Sequence, residues 1–194
     1  MGNVLVYFSH DRMFRQMGAV CDRSASEMRS LLIDSELQWE FERGQVSERE
    51  FCGRLSQLVG RELEVDAVRQ AGSDIFWPHP EMRPILEGLK KQGLRLVLLS
   101  NTSISHFEWI QQRYDFPALF DDLVLSYEVG AIKPEEAIFR AALDKIDCDP
   151  EECFYTDDIS AYVAAGRTYG LQAEIFTGAN DLREHLRMRG VSLE

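Results

Sequence analysis

Three short polar groups in this sequence each follow an apolar run, and each could act on a phosphate. Ser100-Asn101-Thr102 follows the run at 94–99, Lys133-Pro134 follows the run at 123–126 after a short loop, and Asp157-Asp158 follows the run at 153–156. A serine hydroxyl and the backbone N–H groups at a helix start can hold phosphoryl oxygens, and a lysine can neutralise their charge. Adjacent carboxylates supply the oxygen ligands that a hard cation such as Mg²⁺ takes. Each group alone also has an ordinary reading. Ser-Asn can be a helix cap, the lysine a solvated surface residue, and Asp-Asp a cap like the second pair at Asp121-Asp122. Their common placement at three successive strand ends favours one shared site.

The elements that must position these groups are predicted by the apolar pattern. The nearly continuous run LRLVLL at 94–99 is expected of a parallel strand covered on both faces. Further strands are expected at 123–126, 153–156 and 173–176. Helices are predicted between them. One carries Met82, Ile85, Leu86 and Leu89 on one face and ends at Gly93; a second lies near 105–114. A third is opened by Pro134 with Glu135 and Glu136 in its first turn, and an amphipathic helix closes the chain. Strands spaced by helices of this length imply right-handed βαβ units in a doubly wound parallel sheet of the α/β class. In such sheets the chemistry sits at the carboxyl ends of the strands.

Residues 11–75 have a different texture, helical and dense in charge, with no strand-like run. Ser47 and Glu50 form a capping-box signature, after which Phe51, Leu55, Leu58 and Val59 are expected on one helical face. Gly44 suits the stop of a helix carrying Trp39 and Phe41.

The composition bounds the function. The chain has 194 residues, 45% of them hydrophobic, and 33 Asp+Glu against 21 Lys+Arg give a formal net charge of -12. That length suits one α/β domain with a small inserted lobe. A field of this sign repels nucleic acid and anionic membranes, so neither is expected as a partner. No apolar run approaches the roughly 20 residues of a membrane span. No basic region precedes the first short apolar stretch, as a signal peptide would need. Cys21, Cys52, Cys148 and Cys153 are scattered without a CxxC pair, and read as reduced thiols of a cytoplasmic protein rather than zinc ligands.

At these residues the sequence resembles the haloacid dehalogenase superfamily, in the branch with a helical cap inserted after the first strand. Ser100-Asn101 is similar to that family's second motif, Lys133-Pro134 followed by Ile138-Phe139 to its third, and 154–158 with Gly170 to its fourth. Residues 2–8 resemble the segment just after its first motif, and 39–44 a stretch of its cap; sugar-phosphate phosphatases such as glucose-1-phosphatase form the nearest subgroup. The resemblance implies a Rossmann-like core at 1–10 and 77–194 and a helical cap at 11–76. It implies a Mg²⁺-dependent phosphatase acting on a small phosphorylated metabolite through an aspartyl-phosphate. In that scheme Ser100 and Asn101 hold the phosphoryl group, Lys133 steadies the nucleophile and the developing charge, and Asp158 coordinates Mg²⁺ with Asp157 as second ligand or orienter.

The resemblance also places the family's nucleophilic aspartate immediately before the residue aligned with Met1. The expectation is therefore that the nucleophile and its strand lie upstream, and that the chain beginning at Met1 is inactive. An alternative register uses 4–8 as the first strand and puts Ser9 at the nucleophile position, which implies a non-catalytic relative. A binding or regulatory module on this scaffold, or a metal-free dehalogenase of the same fold, are the other readings. Tyr162 departs from the asparagine frequent in relatives.

Overall fold

The computed structural model describes residues 1–193. Strand β1 (Val6–Phe8) pairs antiparallel with β2 (Phe76–Pro78), placing Tyr7 opposite Trp77. Between them run five helices: α1 (His10–Cys21), α2 (Ala25–Ile33), α3 (Leu37–Glu42), α4 (Glu48–Val59) and α5 (Val65–Ser73). Their starts are written in local chemistry. Ser24 with Glu27 and Ser47 with Glu50 close reciprocal capping boxes at α2 and α4, satisfying N–H groups that have no partner inside the helix. The five helices share a core of their own, including Met13, Met28, Leu32, Phe41, Phe51 and Leu55. Leu58 departs from expectation. It is 45% exposed, because the buried face of α4 runs through Phe51, Cys52, Leu55 and Val59.

After β2 the chain alternates helix and strand: α6 (Met82–Lys91), β3 (Val97–Ser100), α7 (Ile104–Arg113), β4 (Asp122–Leu125), α8 (Ser126–Val129), α9 (Glu136–Leu143), β5 (Phe154–Asp157), α10 (Ser160–Thr168), β6 (Gln172–Ile175) and α11 (Ala179–Met188). The four strands here are those expected, each within a few residues. They pair in parallel as β3 with β4 and β5 with β6, in register Ser100 to Leu125 and Asp157 to Ile175. Both faces are covered. Leu98 and Leu125 join a core with Ile85, Phe107 and Ile110, while Val124 points to a second core with Ile138, Phe139 and Leu171. The strands do not close into one sheet: among the described residues β3 and β5 each pair on one side only.

Two expectations are corrected here. Pro134 does not open a helix. Glu135 keeps an extended conformation, its N–H and carboxylate both bond to Ile132, and α9 starts at Glu136. Nor does the segment at 4–8 serve as the first parallel strand. Only Val6–Phe8 is extended, its partner β2 is antiparallel, and Ser9 caps α1 by accepting from the Arg12 N–H. Among the described residues no helix is long and apolar enough to cross a membrane.

Candidate active site

The ends of β3 and β5 and the turn before α9 converge on one cavity of about 190 Å³, lined by Ser100, Asn101, Lys133, Asp157 and Asp158. All five residues singled out in the sequence therefore meet. Lys133 reaches between the two half-sheets. Its Nζ donates to Asp157 Oδ2 at 2.5 Å and to the Leu99 carbonyl of β3 at 3.3 Å. Both side chains of this pair are almost wholly buried, 4% and 6% exposed. Asp157 also accepts from the Tyr155 hydroxyl (2.9 Å) on Oδ2 and from the Ile159 N–H (3.0 Å) on Oδ1. Burial pushes the Asp157 carboxyl up, but the Lys133 ammonium and the hydrogen bonds from Lys133 and the Ile159 N–H outweigh it and hold the group below the usual carboxylate range. The Tyr155 hydroxyl is raised by burial and by that same carboxylate.

Two side chains lock the loops. The Asn101 amide brackets the backbone of Lys133, its Oδ1 accepting from the Lys133 N–H (2.7 Å) and its Nδ2 donating to the Lys133 carbonyl (3.2 Å). The buried Ser126 hydroxyl brackets Thr102 in the same manner, with both bonds at 2.9 Å. The strand end that carries Ser100 and the turn that carries Lys133 are thus fixed before any ligand arrives. The Ser100 hydroxyl makes only a long 3.3 Å contact to the Asn101 carbonyl, and lines the cavity. Asp158 is half-buried, and its Oδ2 accepts from Asn3 at 3.0 Å.

A family model described as haloacid dehalogenase-like hydrolase matches residues 8–170. The chain belongs to this family of hydrolases. It is similar to D-ribitol-5-phosphate phosphatase of Bacteroides thetaiotaomicron, with 29% identity over 155 residues covering 76% of this chain and 74% of the relative. It is also similar to a sesquiterpene phosphatase of Aspergillus oryzae, with 26% identity over 141 residues and 72% of each chain. A solved HAD family enzyme from Bacteroides thetaiotaomicron, in complex with magnesium and inorganic phosphate, shares the fold at a TM-score of 0.81, with 20% identity and 90% of each chain covered.

Within the family frame the donor set fits magnesium in a restricted way. Mg²⁺ is held by one or two carboxylates together with substrate phosphate and water. Asp158 lines the cavity with one oxygen uncommitted, whereas both oxygens of Asp157 already accept hydrogen bonds. The two carboxylates therefore differ: Asp158 keeps an oxygen open to the cavity that could serve a cation, and Asp157 is the counter-charge of Lys133. Among the described residues no group of three His, Cys, Asp or Glu side chains converges to hold a metal without help from a ligand. Asn101 lines the same cavity, with its side chain bonded to the Lys133 backbone.

The cavity has a further polar wall that the sequence did not announce. Gln38 and Glu42, one turn apart on α3, face it and bond to each other at 2.9 Å. Burial raises the Glu42 carboxyl. Their spacing of four was a usable signal, but nothing local distinguished it from the many charged pairs of residues 11–75. Tyr155 could have been found from strand periodicity, because it stands two residues before Asp157 and so on the same face of β5.

Proposed function

We propose that the chain is a phosphatase acting on a compact, hydroxylated phosphomonoester such as a sugar or polyol phosphate. The observation that carries this reading is the convergence of Ser100, Lys133, Asp157 and Asp158 on one cavity at the carboxyl ends of parallel strands. In a chain of net charge -12 an anionic substrate needs a local positive centre, and Lys133 is the cation at the cavity. Asp157 holds that ammonium in place, so its charge is aimed before the phosphate binds. The Ser100 hydroxyl is positioned to donate to a phosphoryl oxygen. Asp158 would hold Mg²⁺, whose contribution is to offset the charge of the phosphoryl oxygens.

Gln38 and Glu42 offer the hydrogen-bonding groups that leaving-group hydroxyls use, with the helices of residues 11–76 acting as a cap over the substrate.

The nucleophile of this reading is the aspartate expected just before Met1. The unpaired sides of β3 and β5, with Lys133 spanning from one to the other, support a further strand between them. The test compares the chain beginning at Met1 with a version extended upstream, using p-nitrophenyl phosphate and Mg²⁺. The extended protein should hydrolyse the ester and the shorter one should not. Failure of the extended protein across a panel of phosphorylated metabolites would overturn the phosphatase reading in favour of a binding module.

A further inference from the structure

Arg43, at the end of α3, and Glu135, in the turn after Lys133, are 92 residues apart and form an ion pair. An exposed pair of this kind normally contributes little. This one is different in how the carboxylate is used. Glu135 Oε1 accepts from Arg43 Nε (3.1 Å) and Nη2 (2.5 Å), while its Oε2 accepts from the Ile132 N–H at 3.1 Å. The Glu135 N–H in turn donates to the Ile132 carbonyl at 2.8 Å. The carboxylate therefore closes a four-residue turn whose second residue is Lys133, and one of its oxygens hangs on the helical cap. Arg43 holds the carboxyl below its usual range, so the bridge stays charged at neutral pH.

The cap end of the bridge is fixed by backbone contact. Gly44 has φ +66°, and a Cβ added there would lie 2.1 Å from the Tyr127 carbonyl oxygen of α8. Only glycine lets the Arg43–Gly44 turn press so closely on the core. The turn that carries Lys133 is thus held at two points: Asn101 bonds the Lys133 backbone, and Glu135, tied to Arg43 of the cap, bonds the Ile132 N–H.

We propose that Glu135, held by Arg43, is a positioning residue that transmits docking of the cap to the placement of Lys133 Nζ in the phosphate cavity. The role rests on the phosphatase reading; the mechanical link does not. With the cap docked, the turn is closed and Lys133 points at Asp157 and the cavity. With Arg43 withdrawn, Glu135 keeps only its bond to Ile132, and the turn loses its tie to the cap.

Two measurements keep the link and the role apart. In the chain beginning at Met1, Arg43→Met should shift the amide resonances of Lys133 and the side-chain NH₂ of Asn101, while Arg29→Met, an exposed charge change on α2, should not. Unmoved resonances in Arg43→Met would overturn the link whether or not the protein is an enzyme. In the upstream-extended enzyme, Glu135→Gln and Arg43→Met should each lower kcat about 10- to 100-fold with little change in KM, as misplacement of a catalytic group does. Arg43→Lys should recover part of the loss, and the double variant should be no worse than either single one. A kcat unchanged in both variants, or losses that simply add, would overturn the positioning role. An extended wild type without activity would refute the phosphatase reading and the role together, while leaving the link to the resonance test.

Discussion

The five helices between β1 and β2 bury Met13, Met28, Leu32 and Leu55 in a self-contained apolar cluster, whereas the strand-end site buries Lys133 and Asp157 among hydroxyls, an amide and main-chain groups. The first kind of region is held by area removed from water, a sum of many small contacts that degrades by degrees. The second depends on each polar group finding its partner, so one deletion strands the rest. The contrast suits the proposed roles: a cap would have to keep its shape as it moves, and a phosphate site would have to hold charges where water would otherwise take them.

Lys133→Met gives the sharpest test of that contrast. It leaves Asp157 buried with only the Tyr155 hydroxyl and the Ile159 N–H as partners, and breaking a buried pair in this way costs about 3–5 kcal/mol. Urea unfolding of Lys133→Met should show a loss of that size. Adding Asp157→Asn should restore part of it, because the stranded charge is gone. A loss below about 1 kcal/mol would place the pair with ordinary surface bridges and erase the distinction between the regions.

Leu55→Ala probes the other side. Leu55 is fully buried in the cap core, and truncating such a residue costs about 2–5 kcal/mol through lost burial and the cavity left behind. The amide resonances of Lys133 and Asn101 should stay where they are, because the damage is apolar and local. If they move as far as they do in Arg43→Met, cap packing and site geometry are one cooperative unit.

The same contrast explains what could be read from the sequence. Strand β3 is nearly all apolar and sits between two covered faces, so its presence was plain, although it starts at Val97 rather than Leu94 and includes Ser100. Capping boxes at Ser47 and the glycine stop at Gly93 are local chemistry, and they hold in the structure. Leu58 was misplaced because helical spacing alone admits it to a face that tertiary contacts of Cys52 actually occupy. Pro134 does not start the helix because a helix start is a local pattern, while the turn there is closed by the side chain of Glu135, immediately before the helix, and by its tie to Arg43. The different partners of Asp157 and Asp158 were not legible either. Which of two adjacent carboxylates meets a lysine from another loop is decided by long-range packing, as is the union of Arg43 with Glu135.

His106 lies on the seam between the two regions and carries the last prediction. It stands in the first turn of α7, its Nε2 is 3.1 Å from the Gly72 carbonyl of α5, and its ring meets Phe76 edge-on. Burial lowers it to about 4 from an ordinary value of 6.5, against the raising effect of the Gly72 bond. The folded protein thus keeps the ring neutral, and Nε2–H donates to Gly72. Between pH 4 and 6.5 the unfolded chain binds the extra proton, so stability rises with pH through that window. The contribution is complete above about pH 6.5 and is lost as pH falls toward 4, a swing of about 2 kcal/mol once the part of the ring open to solvent is allowed for. His106→Gln, compared with wild type by urea unfolding from pH 4.5 to 7, should flatten most of that slope. An identical slope in the two proteins would mean that the ring charges freely in the fold, and that the seam behaves as surface rather than as an extension of the apolar cap.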